Sequence, residues 1–251
     1  MGKIIAVVNQ KGGVGKTTTA VNLTAALTEA GKRVLLCDFD PQANATSGLG
    51  LDKRHLRHSV YDVIINDVPA KHAIVQTKFG DVLPSTADLA GAGVELVTMD
   101  SPNYRLKNAL DSVRDRYDLI FIDCPPSLEL LTLNSLCAAD GIMVPVQCEY
   151  YALEGLTDLM NTLRMVKKRL NPRLEIFGVA LTMFDGRTNF STQVAQEVRR
   201  HFPGKVYATV IPRNIRLAEA PSHGLPVSAY DKSSRGAQAY KAMAAEIIEK
   251  L

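Results

Sequence analysis

Short, uninterrupted runs of apolar residues alternate along this chain with longer segments in which apolar positions recur every three or four residues. The first pattern is typical of strands buried on both faces of a parallel sheet, and the second of amphipathic helices. Strands are predicted at 3–9, 33–38, 118–123, 141–147, 174–184 and 205–211. Helices are predicted at 16–30, 104–116, 129–138, 154–170, 192–202 and 235–250, with weaker helical spans at 59–66 and 89–99 on either side of a short strand near 81–84.

This alternation predicts an α/β fold with a doubly wound, mostly parallel sheet and helices on both faces. The length of 251 residues suits one domain, and no linker, repeat or low-complexity tract interrupts the pattern. We therefore expect residues 1–251 to form a single domain. Parallel sheets bind ligands beyond the carboxyl ends of their strands, so polar residues that follow the apolar runs are the candidate site residues.

Composition narrows the class of protein without identifying it. The four cysteines stand singly, without the paired spacing of a metal site, and are expected to be buried thiols in a reducing cytosol. No apolar run approaches the ~20 residues of a membrane span, and the first residues are expected to form a strand rather than a signal peptide. The net charge is only +3, but residues 181–241 hold nine Lys or Arg against four Asp or Glu, which suggests a polyanionic partner.

A glycine-rich segment, KGGVGKTT, directly follows the first predicted strand and leads into a predicted helix. Backbone N–H groups of such a turn converge on an anion, and the start of the helix adds partial positive charge. Lys16 is placed to reach the β- and γ-phosphates of a nucleoside triphosphate, and the Thr17 hydroxyl is placed to ligate Mg²⁺. The candidate nucleotide-binding residues of this segment are Lys11, Gly12, Gly13, Val14, Gly15, Lys16, Thr17 and Thr18.

Two aspartates that follow later strands complete the candidate catalytic site. Asp40 lies in the segment DFDPQAN, where a carboxylate can orient an attacking water or hold the water shell of a metal. Asp40 followed by Pro41 is also a common turn pair, and Asp38 is expected to be a supporting acid. Asp123 ends the run LIFID and is expected near Mg²⁺ through water. A buried strand that ends in aspartate is common, and it becomes informative only beside a phosphate-binding loop.

The glycine-rich segment departs from the usual P-loop pattern, because Gln10 stands where glycine is expected and Lys11 adds a second lysine. This variant, together with DFDPQAN and DCPP, resembles the deviant Walker A motif of the ParA/MinD family of P-loop ATPases, and the resemblance covers essentially the whole chain. It implies that Lys11 reaches across a dimer interface to phosphates bound by the partner subunit. The implied catalytic residues are Lys11, Lys16, Asp40 and Asp123, and the implied metal-binding residues are Thr17, Asp40 and Asp123.

A second region of resemblance follows the last predicted strand. In the family, a proline and an asparagine at the positions of Pro212 and Asn214 line the adenine pocket. The expected place for a guanine-recognition motif holds none, which favours ATP over GTP. The segment IPRNIRLAEAPSHG is similar to that of chromosomal ParA proteins, and the resemblance assigns DNA contacts to Arg187 and Arg216.

The resemblance therefore implies an ATP-dependent chromosome-partitioning ATPase with slow intrinsic hydrolysis, in the cytoplasm and on the nucleoid. The implied ligands are ATP and Mg²⁺. The implied partners are a second copy of the chain when ATP is bound, non-specific double-stranded DNA, and a ParB-type protein that stimulates hydrolysis and so releases the DNA. No membrane binding is expected, because the C-terminal residues lack the basic, bulky apolar face of an interfacial helix.

Three alternatives stay open on the sequence. A MinD-like or cargo-positioning ATPase would act on a membrane or a protein array. A metabolic P-loop enzyme, such as an amidoligase, would share the fold, although the sequence offers no candidate motif for its carboxylate substrate. A structural DNA-coating protein would bind DNA without regard to nucleotide.

Overall fold

A seven-stranded sheet forms the centre of the molecule. The computed structural model describes residues 1–127, 129–149 and 152–251, with side chains at all of these positions except 152–155 and 157. The strands lie in the order β3-β4-β2-β5-β1-β6-β7, and neighbouring strands run parallel except for β3 and β4. Their bounds are β1 (Lys3–Val7), β2 (Val34–Asp38), β3 (Val75–Thr77), β4 (Gly80–Leu83), β5 (Leu119–Asp123), β6 (Gly141–Gln147) and β7 (Glu175–Thr182).

Helices cover both faces of this sheet. Consecutive residues of β1, Ile4 and Ile5, belong to two separate buried apolar clusters, so one core lies on each face. The doubly wound fold predicted from the apolar pattern is therefore confirmed. The helices are α1 (Lys16–Glu29), α2 (Asn44–Gly48), α3 (Val60–Ile65), α4 (Ala70–Ala73), α5 (Ala92–Val97), α6 (Arg105–Asp111), α7 (Leu130–Ala138), α8 (Ala152–Arg169), α9 (Asn189–His201), α10 (Ile215–Glu219), α11 (Val227–Tyr230) and α12 (Arg235–Glu249).

The first helix ends as the sequence predicts. Gly31 has a φ of +83°, and its N–H bonds to the carbonyl oxygen of Thr28. The next N–H, of Lys32, bonds to the carbonyl oxygen of Leu27. These two bonds form a Schellman motif, in which a left-handed residue just past the helix satisfies its last carbonyl groups. The chain is thereby turned sharply into β2, whose carboxyl end carries the candidate acids.

The prediction of a strand at 205–211 is wrong. This segment forms one isolated bridge to β7, between Val206 and Val179, and no continuous ladder. The N–H groups of Ala208 and Thr209 instead donate to the carboxylate of Glu246 on α12, at 2.9 and 2.8 Å. A side chain from a distant helix therefore takes the amides that a continuous ladder would need. The segment still covers the outer edge of β7, because Tyr207 and Ile211 donate backbone bonds to that strand.

The helix predicted at 104–116 is also shorter than expected. It ends at Asp111, and the chain continues through a 3-10 turn at Arg114–Arg116. The Ser112 hydroxyl donates to the carbonyl oxygen of Ala109, which is the local competition with helix bonding that serine commonly provides.

The four cysteines are buried free thiols, as predicted. Among the helices of the described residues, none combines the length and the hydrophobicity needed to cross a bilayer.

Candidate nucleotide-binding site

The glycine-rich loop connects the carboxyl end of β1, in the middle of the sheet, to the first residue of α1. Gly13 and Gly15 have φ of +73° and +91°, in the left-handed region that a side chain would strain. Thr182, the last residue of β7, donates its hydroxyl hydrogen to the carbonyl oxygen of Val14 at 2.8 Å. The loop therefore has the tight curvature of a phosphate-binding loop, and a neighbouring strand holds it in that shape.

Lys16 is an unusually buried lysine at the start of α1, with 7% of its surface exposed. Its ammonium group donates to the carbonyl oxygen of Lys11 at 3.2 Å. Burial lowers the pKa of Lys16, and nearby acidic groups, chiefly Asp123, oppose that shift. Burial deprives this ammonium group of the water that would stabilise its charge. A phosphate oxygen is therefore a suitable partner, because an anionic ligand supplies the compensating negative charge.

Two fully buried aspartates end neighbouring strands beside the loop. Asp38 on β2 and Asp123 on β5 are paired in the parallel register. Asp38 accepts hydrogen bonds from the backbone N–H and the hydroxyl of Thr46, both at 2.7 Å. Within the described residues, neither oxygen of Asp123 accepts a hydrogen bond of good geometry. Burial raises the pKa of both carboxyls, and the charge of Asp38 raises the pKa of Asp123 further.

The unpaired carboxylate of Asp123 fits a divalent cation. A buried charge without a donor is costly, and a metal ion is one of the few partners that can satisfy it. The side chain of Thr17 and the charge of Lys16 both lower the pKa of the Asp123 carboxyl, although burial outweighs them. Hydroxyl and carboxylate oxygens are the ligands that Mg²⁺ prefers. Thr17, Asp123 and Asp40 would therefore be the residues that hold a bound Mg²⁺ ion.

Asp40 lies in a tight turn that we call the switch segment, residues 38–44. Its carboxylate accepts the N–H of Gln42 at 2.9 Å, and its own carbonyl oxygen accepts the N–H of Ala43 at 2.8 Å. Ala43 has a φ of +54° and precedes α2. Asp40 is thus both a turn residue and a member of the acid cluster, since its charge acts on Lys16 and Asp123.

Lys11 stands at the mouth of the loop, and its side chain is 36% exposed. Its backbone N–H donates to the side-chain oxygen of Asn9 at 3.0 Å, which fixes the chain at this point. Its ammonium group lies 3.9 Å from the carboxylate of Glu149, and Arg213 approaches the same carboxylate at 3.5 Å. Among the described residues, the side chain of the second lysine is therefore held by a partly exposed ion pair.

A cavity of about 480 Å³ adjoins the loop. Pro212 and Asn214, the predicted base contacts, both line it. The side-chain oxygen of Asn214 accepts the N–H of Arg216 and begins α10, which leaves the amide NH₂ of Asn214 as its donor toward a ligand. This volume and a largely apolar lining suit a nucleoside. The full lining is Gly15, Thr18, Thr182, Met183, Ile211, Pro212, Arg213, Asn214, Ile215, Leu217, Ala218 and Tyr240.

The two arginines predicted to contact DNA lie outside this cavity's lining and are paired with acids of the same chain. Arg187 makes a two-point contact with Asp185, at 2.9 and 2.7 Å. Arg216 lies 2.8 Å from Glu219 and 3.3 Å from Asp231. Both arginines are partly or mostly exposed, so a phosphate can compete for them, but it must displace a carboxylate to do so.

Sequence reasoning missed three residues that shape the site. Thr182 holds the loop, and the rule that polar residues at the carboxyl ends of parallel strands form sites would have found it. Tyr240 on α12 lines the cavity and shares a 3.1 Å hydrogen bond with the hydroxyl of Thr19. Ser85, after β4, donates its hydroxyl hydrogen to the carbonyl oxygen of Asp40. No sequence pattern points to the last two, because their partners are distant in the chain.

Comparison with known proteins identifies the family of this chain. The AAA domain family matches residues 2–176. The chain is 58% identical over 249 residues to the sporulation initiation inhibitor protein Soj of Bacillus subtilis (strain 168), covering 98% of each chain. It is 51% identical to the chromosome partitioning protein ParA of Caulobacter vibrioides, covering 99% of this chain and 94% of that protein. The chain belongs to the ParA/MinD family of P-loop ATPases.

A solved structure extends this ParA/MinD-family likeness to the fold. Cobyrinic acid a,c-diamide synthase from Mycobacterium smegmatis, with bound ATP analog and magnesium, superposes with a TM-score of 0.86. It is 39% identical to this chain and is matched over 99% of this chain and 95% of that one. The P-loop fold of the ParA/MinD family therefore applies from the first strand to the terminal helix, and the bound species in that structure suit the loop and acid cluster described above.

Proposed function

We propose that this protein is an ATP-dependent chromosome-partitioning ATPase. The observation that carries the proposal is the different setting of the two lysines of the glycine-rich loop. Lys16 is buried within the loop, whereas Lys11 is exposed at its mouth. A single copy of the chain needs only Lys16 to bind phosphates, so an exposed second lysine is explained by a site that a second copy completes. The names of the relatives from Bacillus and Caulobacter support the biological role.

ATP binds with its phosphates in the glycine-rich loop and its base in the adjoining cavity. The N–H groups of Gly12, Gly13, Val14 and Gly15 surround the phosphates, Lys16 neutralises them, and Thr17 and Thr18 follow at the start of α1. A Mg²⁺ ion held by Thr17 would supply positive charge beside the β- and γ-phosphates. Asp40 orients the attacking water, and Asp123 holds the water shell of the metal ion. Because the chain provides few other groups for the water, intrinsic hydrolysis is slow.

Two copies of the chain close on two ATP molecules. Lys11 leaves Glu149 and neutralises the γ-phosphate held by the partner subunit. The partly exposed pair with Glu149 is worth no more than about 1 kcal/mol, whereas a triphosphate offers several negative charges in a site shielded from solvent. ATP thereby favours the dimer. Hydrolysis removes the γ-phosphate, which is the group through which Lys11 of one subunit contacts the other.

The dimer binds double-stranded DNA without reading its sequence. Arg187 and Arg216 supply phosphate contacts, and dimer formation doubles their number. Affinity for DNA rises steeply with the number of phosphates neutralised, since each contact releases counterions. A ParB-type partner stimulates hydrolysis and so releases the DNA. This cycle positions a partner-bound chromosomal region on the nucleoid, in the cytoplasm. Residues 1–251 act as a single ATPase domain throughout the cycle.

The test is DNA retention with no nucleotide, with ADP and with ATP, across a salt series, on the unsubstituted protein and on Lys16→Ala. We expect retention only with ATP, a steep loss with salt, and no retention by Lys16→Ala. A protein that remains monomeric with bound, uncleaved ATP would contradict the proposal. Retention by Lys16→Ala equal to that of the unsubstituted protein would indicate a nucleotide-independent DNA-coating protein.

Two enzyme-class alternatives have their own outcomes in the same assays. The similarity to a protein named as a diamide synthase suggests a metabolic reaction, and fast ATP turnover that depends on a small carboxylic acid would favour it. A MinD-like activity predicts ATP-dependent sedimentation with anionic vesicles and none with DNA. The partly exposed Lys11 is compatible with both a chromosome-partitioning and a MinD-like ATPase. The DNA and vesicle measurements, made on the same sample, decide between these two functions.

A further inference from the structure

A strongly basic turn follows the switch segment and has no part in the nucleotide site. It comprises residues 52–58, DKRHLRH, between α2 and α3, and it contains a short 3-10 turn at Lys53–His55. Five of its seven residues are Lys, Arg or His. The side chains of Arg54 and His55 are 84% and 80% exposed. A concentration of cations of this kind on an exposed turn is the electrostatic signature of an anionic partner.

The basic turn has more cationic side chains than neighbouring carboxylates neutralise, unlike the two arginines predicted to contact DNA. Arg187 and Arg216 are each neutralised by neighbouring carboxylates. The basic turn contains three Lys or Arg, at 53, 54 and 57, and a single acid, Asp52, which pairs with Arg54 and His55. Arg57 pairs with no carboxylate among the described residues. Asp52 holds Arg54 as Asp185 holds Arg187, so the charge that the turn offers to phosphate without breaking an ion pair lies on Lys53 and Arg57.

The basic turn is attached to the nucleotide site at one end. The ammonium group of Lys53 donates to the carbonyl oxygen of Gln42, in the switch segment, at 2.6 Å. Just before the turn, Gly50 packs against Gly224, where a Cβ on either glycine would lie 3.0 Å from the backbone of the other. Gly224 ends the 3-10 turn that directly follows α10, the helix that carries Arg216. The basic turn therefore contacts the switch segment through Lys53, and the residue two positions before it contacts the end of the 3-10 turn that follows the Arg216 helix.

From these contacts we propose that residues 52–58 bind the phosphate backbone of double-stranded DNA and extend the surface that contains Arg216, with Lys53 linking this contact to the switch segment. The inference rests on the proposed DNA binding of the ATP-bound protein. Nucleic acid fits the turn better than a membrane does. The bulky apolar side chains that the described residues expose lie elsewhere, and Leu56 is only partly exposed, so the turn has no apolar group to insert between lipids.

The experiment compares two double variants of matched charge. Arg54→Gln/Arg57→Gln removes two cations from the basic turn. Arg116→Gln/Arg173→Gln removes two exposed arginines that lie just before β5 and β7. They are at the amino ends of these strands, whereas the nucleotide site is at the carboxyl ends. Binding of a short random-sequence DNA duplex is measured with ATP present across a potassium chloride series. Surface substitutions of this kind should shift the thermal midpoint by no more than about 2 °C, which verifies that both variants fold.

Loss of two phosphate contacts from a subunit should reduce the slope of log K against log salt by about 1.8 for each subunit that contacts DNA through the basic turn, and the control should keep the parental slope. An unchanged slope for Arg54→Gln/Arg57→Gln, with DNA binding by the parent intact, would overturn this inference alone. Absence of DNA binding by the parent would overturn the proposed function and this inference together. Binding to phosphatidylglycerol vesicles that only the basic-turn variant loses, with its DNA slope unchanged, would assign the turn to a membrane instead.

A further variant tests the link to the switch segment. Lys53→Gln removes the ammonium donor to the Gln42 carbonyl while the two arginines of the turn remain. We expect a smaller ratio of DNA affinity with ATP to DNA affinity with ADP than in the parent, because the turn no longer follows the switch segment. The same ratio as in the parent would overturn the link and leave residues 52–58 as a contact indifferent to nucleotide.

Discussion

The hydroxyl group of Ser85 donates a 2.9 Å hydrogen bond to the carbonyl oxygen of Asp40, and Ser85 is fully buried. Ser85 also donates its backbone N–H to the hydroxyl oxygen of Thr46 at 3.0 Å, and Thr46 in turn donates to Asp38. The end of β4 is thus connected through buried hydrogen bonds to both acids of the switch segment. A change at Ser85 should therefore reach the candidate water-orienting residue without touching nucleotide.

The Ser85→Ala variant should hydrolyse ATP about tenfold more slowly, equivalent to ~1.4 kcal/mol, with unchanged affinity for ATP. Its unfolding free energy should fall by about 1–3 kcal/mol, because the Asp40 carbonyl loses a buried donor. Phosphate release and urea unfolding measure the two effects. Ser59→Ala is the matched control, since the hydroxyl of this buried serine bonds the Asp62 carboxylate at 3.3 Å in the first turn of α3 and the change should leave kcat unchanged. Equal loss of kcat in both variants would show a general loss of stability.

The Asp40→Ala variant should bind ATP, dimerise and remain on DNA, because the water is no longer oriented while the loop and Lys11 are intact. Loss of a group in this role typically costs about 10²–10⁴ in rate. Light scattering reports the dimer, and phosphate release reports hydrolysis. Asp100→Ala, an exposed aspartate outside the site, serves as the control. Rapid hydrolysis by Asp40→Ala would remove Asp40 from its assigned role.

Removing the carboxylate that holds Lys11 should favour the ATP-bound dimer. In Glu149→Gln, Lys11 and Arg213 lose an attractive charge that competes with phosphate. The ion pairs are partly exposed, so the gain should be no more than about fivefold in the dimer association constant and should disappear at high salt. Analytical ultracentrifugation with ATP measures it. Glu175→Gln, exposed at the other end of the sheet, should have no effect, and a weaker dimer in Glu149→Gln would place Glu149 in the interface instead.

The Arg216→Ala variant should retain the dimer and bind DNA more weakly at every sequence alike. The slope of log K against log salt should fall by about 0.9 for each subunit that loses its phosphate contact. Arg33→Ala is the matched control, because Arg33 is also an exposed, ion-paired arginine, held by Asp118 before β2 and β5. DNA binding by Arg216→Ala that equals that of Arg33→Ala would contradict the assignment of Arg216.

The pH dependence of stability should report on the Glu246 carboxylate that interrupts the predicted strand at 205–211. Burial raises the pKa of Glu246, but the hydrogen bonds from Thr209 and Ala208 outweigh it, so the net pKa is lowered. Because the folded-state pKa lies below the ordinary value, the ionised group stabilises the fold at neutral pH, and this contribution is lost as pH falls through the folded-state pKa.

Glu246→Gln should therefore lower the free energy of unfolding at neutral pH by about 1 kcal/mol or less, since the group is only partly buried. The difference from the parent should shrink toward acidic pH. Urea unfolding at a series of pH values measures it. The control is Glu249→Gln, which changes an exposed glutamate three residues further along the same helix. It should show no such pH-dependent difference. A difference for Glu246→Gln that grows with acidity would contradict the sign of the shift.

Most of the fold and the centre of the site follow from local sequence. Uninterrupted apolar runs such as LIFID locate buried strands, and glycines at 13 and 15 are required by the left-handed turn of the loop. The position of Lys16, Thr17, Asp40 and Asp123 after strand ends is likewise a local feature. Parallel strands place their carboxyl ends at one edge, so these residues had to meet.

The alternating fold, the loop and the acids at the strand ends can therefore be predicted from local sequence, since each depends on residues within a few positions of one another. Four contacts are visible only in the folded chain: Thr182 holds the loop, Ser85 holds Asp40, Glu149 holds Lys11, and Glu246 takes the amides of the segment at 205–211. Each of these contacts joins distant parts of the chain. A hydrogen bond or ion pair of that kind leaves no periodicity in the sequence, and it forms only after the strands have found their order.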